Sequence, residues 1–107
     1  MDIKKWLETA GEPVAETCFL PDEAPPLPYI VFLDHTARSG ADMRNLIRTH
    51  SVTVERYSNT TDDNAALEAL FDTCTIKYTK YRQWLKSENC YMTVYDLQSD
   101  LYEREVI

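Results

Sequence analysis

The apolar residues of this chain are densest just after a proline-rich segment. Four prolines lie among residues 21–28, and residues 29–33 are five consecutive apolar positions. Proline fixes φ and donates no backbone hydrogen bond, so it suits the approach to a strand and not its interior. Because the apolar run has no polar alternation, it predicts a central strand over residues 29–36. Its two faces are covered either by the protein's own fold or, on one side, by a partner.

Two other segments carry apolar residues at helical spacing. Helix one is predicted over residues 2–10, because Gly11 and Pro13 follow as stop signals. Helix two is predicted over residues 62–74, because Thr and Asp side chains in residues 58–63 are suited to capping its first turn. The apolar stripes are Ile3, Trp6, Leu7 and Ala10 in helix one and Leu67, Leu70, Phe71 and Cys74 in helix two. We expect these helices to cover the two faces of the central strand, and Asp63, Glu68 and Asp72 to lie in water.

The remaining segments predict further strands. Residues 14–19 form a short strand, residues 37–42 a turn, and residues 43–47 with 51–57 one long or interrupted strand. Residues 76–85 and 90–97 form a hairpin across the polar turn at 86–89, and residues 101–107 are either a last short strand or a loose arm. The order α-β-β-β-α-β-β predicts an α+β sandwich with a mostly antiparallel sheet and two helices packed on it.

Length and composition agree with one globular domain. The 107 residues predict a single domain over 1–107, with residues 98–107 as a possible arm. Apolar residues make up 44% and charged residues 27% of the chain. No apolar stretch approaches the roughly 20 residues of a membrane helix, and we expect a cytosolic protein without a membrane contact.

Charge is distributed unevenly along the chain. The formal net charge is −7, which disfavours binding to a nucleic-acid backbone. Residues 76–86 nevertheless carry four basic side chains and no acid: Lys77, Lys80, Arg82 and Lys86. This basic segment predicts either a solvated face balanced by a neighbouring acidic strand or a contact with an acidic neighbouring subunit.

Residues with catalytic potential are not arranged in a recognisable motif. The three cysteines form no CxxC pair, which argues against structural zinc, and we expect all three to be buried and reduced. Asp34 and His35 are neighbours in a strand and therefore point to opposite faces. We expect His35 and His50 to be surface residues. Neither a nucleophile elbow nor a metalloprotease motif occurs, so the sequence predicts no enzyme, no metal and no cofactor.

A resemblance to one protein family rests on several motifs in a fixed order, covering about residues 1–97. The motifs are Pro26-Leu27-Pro28-Tyr29-Ile30-Val31-Phe32-Leu33, then Ala41-Asp42, Val52-Thr53-Val54-Glu55-Arg56-Tyr57, the helix with Leu67, Leu70 and Phe71, and Glu88-Asn89-Cys90-Tyr91-Met92-Thr93-Val94-Tyr95. This combination resembles the tail-terminator, or tail-completion, proteins of long-tailed bacteriophages and prophages, some of which are labelled minor capsid proteins.

The resemblance implies a structural role without catalysis or a cofactor. Such proteins close into a ring, commonly a hexamer, that caps the tail tube and joins tail to head. The implied partners are the tail-tube protein, a head-completion or connector protein, and further copies of the chain, while DNA passes through without specific binding. The implied location is the tail–head junction of the virion, after assembly in the bacterial cytoplasm. Candidate interface residues are Lys77, Lys80, Arg82, Arg44 and Arg48.

Two alternatives remain at this point. The long strands around residues 43–57 predict a projecting hairpin that either adds a strand to a partner sheet or completes its own sheet. The rival function is a monomeric acidic adaptor or inhibitor module from a mobile element, which would share the α+β core and the negative charge.

Overall fold

A computed structural model describes residues 2–39, 47–98 and 101–104 as one sheet with two helices. In chain order the elements are α1 (Ile3–Glu8), β1 (Val14–Glu16), β2 (Tyr29–Ser39), β3 (Ile47–Ser58), α2 (Ala65–Thr73), β4 (Tyr78–Leu85), β5 (Cys90–Leu97) and β6 (Leu101–Arg104). The strand order is β1-β2-β3-β5-β4, and β6 pairs with β3 beyond the end of β5. Only β1 and β2 pair in parallel within the described residues. The predicted α+β class with a mostly antiparallel sheet is confirmed.

Both helices pack on the same face of the sheet, which we call the helix face. Leu7 of α1 and Phe71 of α2 belong to one buried cluster with Ile30, Val54 and Tyr95 from β2, β3 and β5. The Trp6 and Phe71 rings, whose centroids are 5.9 Å apart, join the two helices directly. The expectation that the helices would cover opposite faces of the central strand is therefore wrong. The alternating pleat explains the arrangement, because Ile30 and Phe32 point to the helix face while Val31 and Leu33 point to the other.

The helix caps differ in how well the sequence predicted them. Asp2 caps α1, since its carboxylate accepts a hydrogen bond from the Lys5 amide at 3.1 Å. Gly11 follows with a φ of 90°, the left-handed conformation that favours glycine after a helix. Helix α2 starts later than predicted, because the side chain of Asn64 accepts from the Leu67 amide at 3.0 Å and fixes the first turn there.

Strands β2 and β3 form a long hairpin that pairs without interruption over eleven positions. The register runs from Tyr29 opposite Tyr57 to Ser39 opposite Ile47. Residues 37–39, predicted as part of a turn, are therefore strand, because the ladder with β3 continues through them. The rest of that predicted turn and residues 43–46 lie outside the described residues. The hairpin completes its own sheet, and β6 pairs with the outer end of β3 over residues 47–50.

The β4–β5 hairpin agrees with the prediction in its turn. Asn89 has a φ of 53°, the left-handed conformation that such a turn uses. Trp84 and Tyr91 lie directly opposite each other, with ring centroids 4.8 Å apart. Cross-strand aromatic pairs of this kind each stabilise a ladder by up to about 1 kcal/mol.

Two of the three cysteines are exposed, which contradicts the expectation that all three are buried. Cys18 lies in the connection after β1, and Cys74 lies just past the end of α2. Only Cys90, at the start of β5, is buried. Helical spacing extended the apolar stripe of α2 to Cys74, but α2 ends at Thr73.

Candidate interaction surface

The basic side chains of β4 lie against the start of α2. Nζ of Lys80 is 2.8 Å from Oδ2 of Asp63 and 2.8 Å from Oε2 of Glu68. The Arg82 guanidinium contacts the other Asp63 oxygen, and its Nε donates to Oγ1 of Thr93 at 3.0 Å. The positive charge of this strand is thus balanced within the subunit by the acidic start of α2. The expectation that Glu68 lies fully in water is wrong, because it takes part in this cluster.

The charge cluster shifts the pKa values of Asp63 and Lys80 in the directions expected for an ion pair. The hydrogen bond from Lys80 is the main reason why the pKa of Asp63 is lowered from its usual 3.8. Although partial burial opposes the change, hydrogen bonds to Asp63 and Glu68 raise the pKa of Lys80. About a quarter of the Lys80 and Arg82 side chains stays exposed, 29% and 26%, so both remain open to a neighbouring molecule.

The other predicted interface residues are not gathered at this site. Lys77 is exposed just before β4, where its backbone carbonyl accepts from the Gln98 amide. Arg48 lies in β3 at a position paired with Arg38 on one side and Glu103 on the other. Strand β5 separates that part of the sheet from β4. Arg44 lies outside the described residues. The structure therefore brings together only Lys80 and Arg82 of the predicted set.

The second face of the sheet, which we call the open face, is covered only in part. At one end Phe19 packs edge-on against Tyr29, with ring centroids 5.1 Å apart, and Tyr29 packs against Tyr57 at 5.3 Å. Toward the other end the large side chains of Leu33 and Tyr81 are 40% and 55% exposed. These two residues lie on β2 and β4 respectively, at opposite sides of the sheet.

Strand β2 has a free edge beyond Phe32. Strand β1 pairs with β2 only at residues 30–32, and the positive φ of Thr17 ends it there. Within the part of the chain that the structure describes, no strand pairs with the outer side of β2 from Leu33 to Ser39. We call residues 33–39 on this side the β2 edge.

A cavity of about 450 Å³ lies beside the β2 edge on the helix face. Its lining carries three carboxylates and one ammonium group, together with an imidazole and two apolar side chains. The lining residues are Asp2, Ile3, Lys4, Glu16, Phe32, Asp34 and His50. The cavity lining therefore has more carboxylates than ammonium groups, in contrast to the basic side chains of β4 at the other side of the sheet.

His50 is held at the floor of this cavity by a neighbouring strand. Its Nδ1 lies 2.9 and 3.0 Å from the two carboxylate oxygens of Asp34 and 3.2 Å from Oγ1 of Thr36. The His50 side chain is only 8% exposed, so the expectation of a surface histidine is wrong for His50, whereas His35 is exposed. The register brings these groups together, because Asp34 and Thr36 lie opposite Val52 and His50 on the same face. These hydrogen bonds fix the position of the Asp34 carboxylate beside the free edge.

Other kinds of site receive no support from the described residues. In that part of the chain no three His, Cys, Asp or Glu side chains are grouped so that they could hold a metal ion. Neither helix there has the length and apolarity needed to cross a bilayer.

Two features of this surface could not be predicted from the sequence. Asp34 and His50, which meet at the cavity, come from the two strands β2 and β3, and their meeting depends on the β2–β3 register, which no local motif encodes. Leu33 is exposed because both helices pack on the other face of the sheet. The signal that was available is the strict alternation of β4, which places Lys80 and Arg82 on one face and Tyr81 on the other.

Comparison of the chain with protein-family models, with curated proteins and with solved structures found no match in any of the three searches.

Proposed function

We propose that this protein is a structural subunit that assembles into a ring, caps the tail tube of a long-tailed phage or prophage and joins the tail to the head. The observation that supports the proposal best is the open face of the sheet. Both helices pack on the opposite face, and Leu33 and Tyr81 remain exposed at the two sides of the open face in the isolated subunit. A sheet face with exposed apolar side chains suits an assembly that covers it or places it along a channel.

The charges on the open face suit a channel for DNA. Among the strand residues whose side chains the structure describes, the basic ones are Arg56, Lys80 and Arg82, and the register places all three on the helix face. The open face carries the acidic Glu55 and Asp96 instead. Because attraction to a phosphate backbone needs Lys or Arg, a lumen lined by the open face would let DNA pass without binding.

The shape of the subunit also suits a ring. A cyclic assembly needs two different, complementary surfaces on each subunit, since its contacts are heterologous. This subunit presents two different sheet edges: β2 lies beside the acidic cavity, and β4 carries Lys80 and Arg82, which are paired with Asp63 and Glu68.

Native mass spectrometry and negative-stain electron microscopy of the purified protein test the ring. We expect closed oligomers, most simply hexamers, whose population rises with protein concentration and with addition of a tail-tube protein from the same source. Capping itself is tested by polymerising that tube protein with and without this chain, because a cap should shorten the tubes and appear at their ends.

A different outcome would support the rival function. A protein that stays monomeric at all concentrations, with and without tube protein, and instead binds one basic partner at a ratio of one to one would contradict the ring. The net charge of −7 would then attract that basic partner.

A further inference from the structure

We propose that a pocket at one end of the open face binds the guanidinium group of an arginine side chain from a partner protein. The pocket has a volume of about 200 Å³, and we call it the aromatic pocket. Its lining combines three aromatic rings and one carboxylate, from Phe19, Tyr29, Tyr57 and Glu88. The pocket is complete within one subunit, so its assignment goes beyond the proposed ring and does not rest on it.

The backbone brings these four residues to the same end of the sheet. Tyr29 at the start of β2 lies directly opposite Tyr57 near the end of β3. The positive φ of Thr17 turns the chain after β1, and the connection that follows packs Phe19 against Tyr29. Glu88 lies in the turn between β4 and β5, which is at this end of the sheet because β5 starts beside the end of β3. The aromatic pocket is therefore at the rim of the open face, where a partner is able to reach it.

The aromatic rings of the pocket lie at an angle to one another. The Phe19 and Tyr29 ring planes are inclined at 75°, and the Tyr29 and Tyr57 planes at 31°. All three side chains are only half-buried, so they keep surface toward the pocket. The face of an aromatic ring carries partial negative charge, and a cation within about 6 Å of the ring centroid is attracted to it. Rings at an angle allow one cation to contact more than one of them.

The Glu88 carboxylate beside these rings is not neutralised within the part of the chain that the structure describes. No described Lys, Arg or His side chain forms an ion pair with it, and its side chain makes no hydrogen bond there. Burial is the main reason why the pKa values of Tyr29 and Tyr57 are raised, and the negative charge of Glu88 adds to the increase in both. The unpaired carboxylate is therefore close enough to act on both phenols.

Arginine fits this combination better than other ligands. Its planar guanidinium stacks on an aromatic face while its N–H groups donate to a carboxylate, which the compact ammonium of lysine does less well. An anion such as phosphate is disfavoured, because it would meet the like charge of Glu88. A metal ion needs several ligands, and no group of three or more His, Cys, Asp or Glu side chains suited to one occurs among the described residues.

NMR titration of the unmodified chain with capped amino acids tests the pocket. The probe is N-acetyl-arginine methylamide, and its control is N-acetyl-citrulline methylamide, which has nearly the same shape without the charge. We expect the arginine probe to shift the ring signals of Tyr29 and Tyr57 and the backbone amide signal of Glu88. The citrulline probe should bind about tenfold more weakly, because both the attraction to the rings and the ion pair need the charge.

Two results of this titration would overturn the proposal. One is equal binding of the arginine and citrulline probes. The other is a set of shifts confined to the acidic cavity beside the β2 edge, which would place the cation there. The lysine probe, N-acetyl-lysine methylamide, should bind more weakly than the arginine probe, and equal or tighter binding would contradict the choice of arginine.

Two substitutions separate the carboxylate from the rings. Glu88→Gln removes the charge and Phe19→Leu removes an aromatic face, and each should weaken binding of the arginine probe about threefold. The matched controls are Asp96→Asn and Tyr81→Leu, which change an exposed carboxylate and an exposed ring of the open face outside the pocket. Both controls should leave binding unchanged, and effects equal to those of the pocket variants would contradict the proposal.

The Glu88 variant keeps the test decisive if the Phe19 variant does not fold. Glu88 is exposed in a turn, so Glu88→Gln should leave the NMR spectrum unchanged away from the pocket. Unchanged binding of the arginine probe to this variant would show that the carboxylate has no part in the site.

Failure of the pocket and failure of the proposed function give different results. If the chain forms rings but does not bind the arginine probe, the pocket assignment is wrong and the ring-forming function stands. If the chain binds the probe through Glu88 and Phe19 but forms no ring with or without tube protein, the pocket stands and the function is wrong.

Discussion

Arg56 and Glu12 form a bidentate ion pair beneath the helices. Nε of Arg56 lies 2.9 Å from Oε1 of Glu12, and its Nη2 lies 2.8 Å from Oε2. The remaining Nη1 donates to the carbonyl of Asp62 at 2.8 Å. One side chain of β3 thereby ties the segment after α1 to the segment before α2. This bond to Glu12 is the main reason why the pKa of Arg56 is raised.

Removing the arginine should be among the most destabilising single changes in the chain. The two side chains are only 8% and 13% exposed, so Arg56→Ala leaves the Glu12 carboxylate buried without its partner. We expect a loss of about 3–5 kcal/mol in the free energy of unfolding, measured by urea denaturation. Lys86→Ala, at an exposed turn position, should change it by less than about 0.5 kcal/mol. A loss for Arg56→Ala as small as for Lys86→Ala would show that the ion pair does not hold the helices.

The buried hydroxyl of Tyr95 should make a separate contribution to the free energy of unfolding. Tyr95 is fully buried, and its hydroxyl donates to Oε2 of Glu68 at 2.6 Å. Tyr95→Phe removes this bond but leaves Glu68 paired with Lys80, so we expect a loss of about 1–2 kcal/mol in the free energy of unfolding. Tyr81→Phe is the matched control, since the Tyr81 side chain is 55% exposed and its loss of a hydroxyl should be neutral.

The free energy of unfolding should depend on pH through the carboxylate of Asp63. Its folded-state pKa is lowered, mainly by the hydrogen bond from Lys80, so the folded state favours the charged carboxylate. The stabilisation is present above the usual pKa of 3.8 and is lost as the pH falls through the lower folded-state pKa. We expect Asp63→Asn to flatten the fall in unfolding free energy below about pH 5, measured by urea denaturation at several pH values. Lys80→Met should flatten it in the same way, and an unchanged slope in both variants would contradict the assignment.

The three cysteines should react with a thiol reagent at different rates. Cys18 and Cys74 are exposed, whereas Cys90 is 3% exposed and burial raises the pKa of its thiol. We expect a thiol reagent such as DTNB to label two cysteines rapidly in the native protein and the third only on unfolding. The double variant C18S/C74S should show no rapid labelling. Rapid reaction of that variant would mean that the start of β5 opens readily.

Local patterns were reliable where neighbouring residues decide the structure. The stripe with Ile3 and Leu7 predicted α1, and the polar turn with Asn89 predicted the β4–β5 hairpin, because each depends on contacts within a few residues. The start of α2 was placed too early, since several residues from 58 to 64 are able to cap a helix and only the tertiary contacts select Asn64. Its side chain also donates to the Ala10 carbonyl, a contact 54 positions away along the chain.

The sequence by itself determined the class of fold, because hydrophobic periods of about 3.6 and 2 residues specify helices and strands and their order. Only the tertiary structure decided that both helices share one face, that His50 meets Asp34, and that Leu33 and Tyr81 stay exposed. The physical reason is that an apolar run such as residues 29–33 presents suitable side chains on both faces. Which face the helices cover depends on the packing of residues far apart in sequence, such as Trp6 against Phe71.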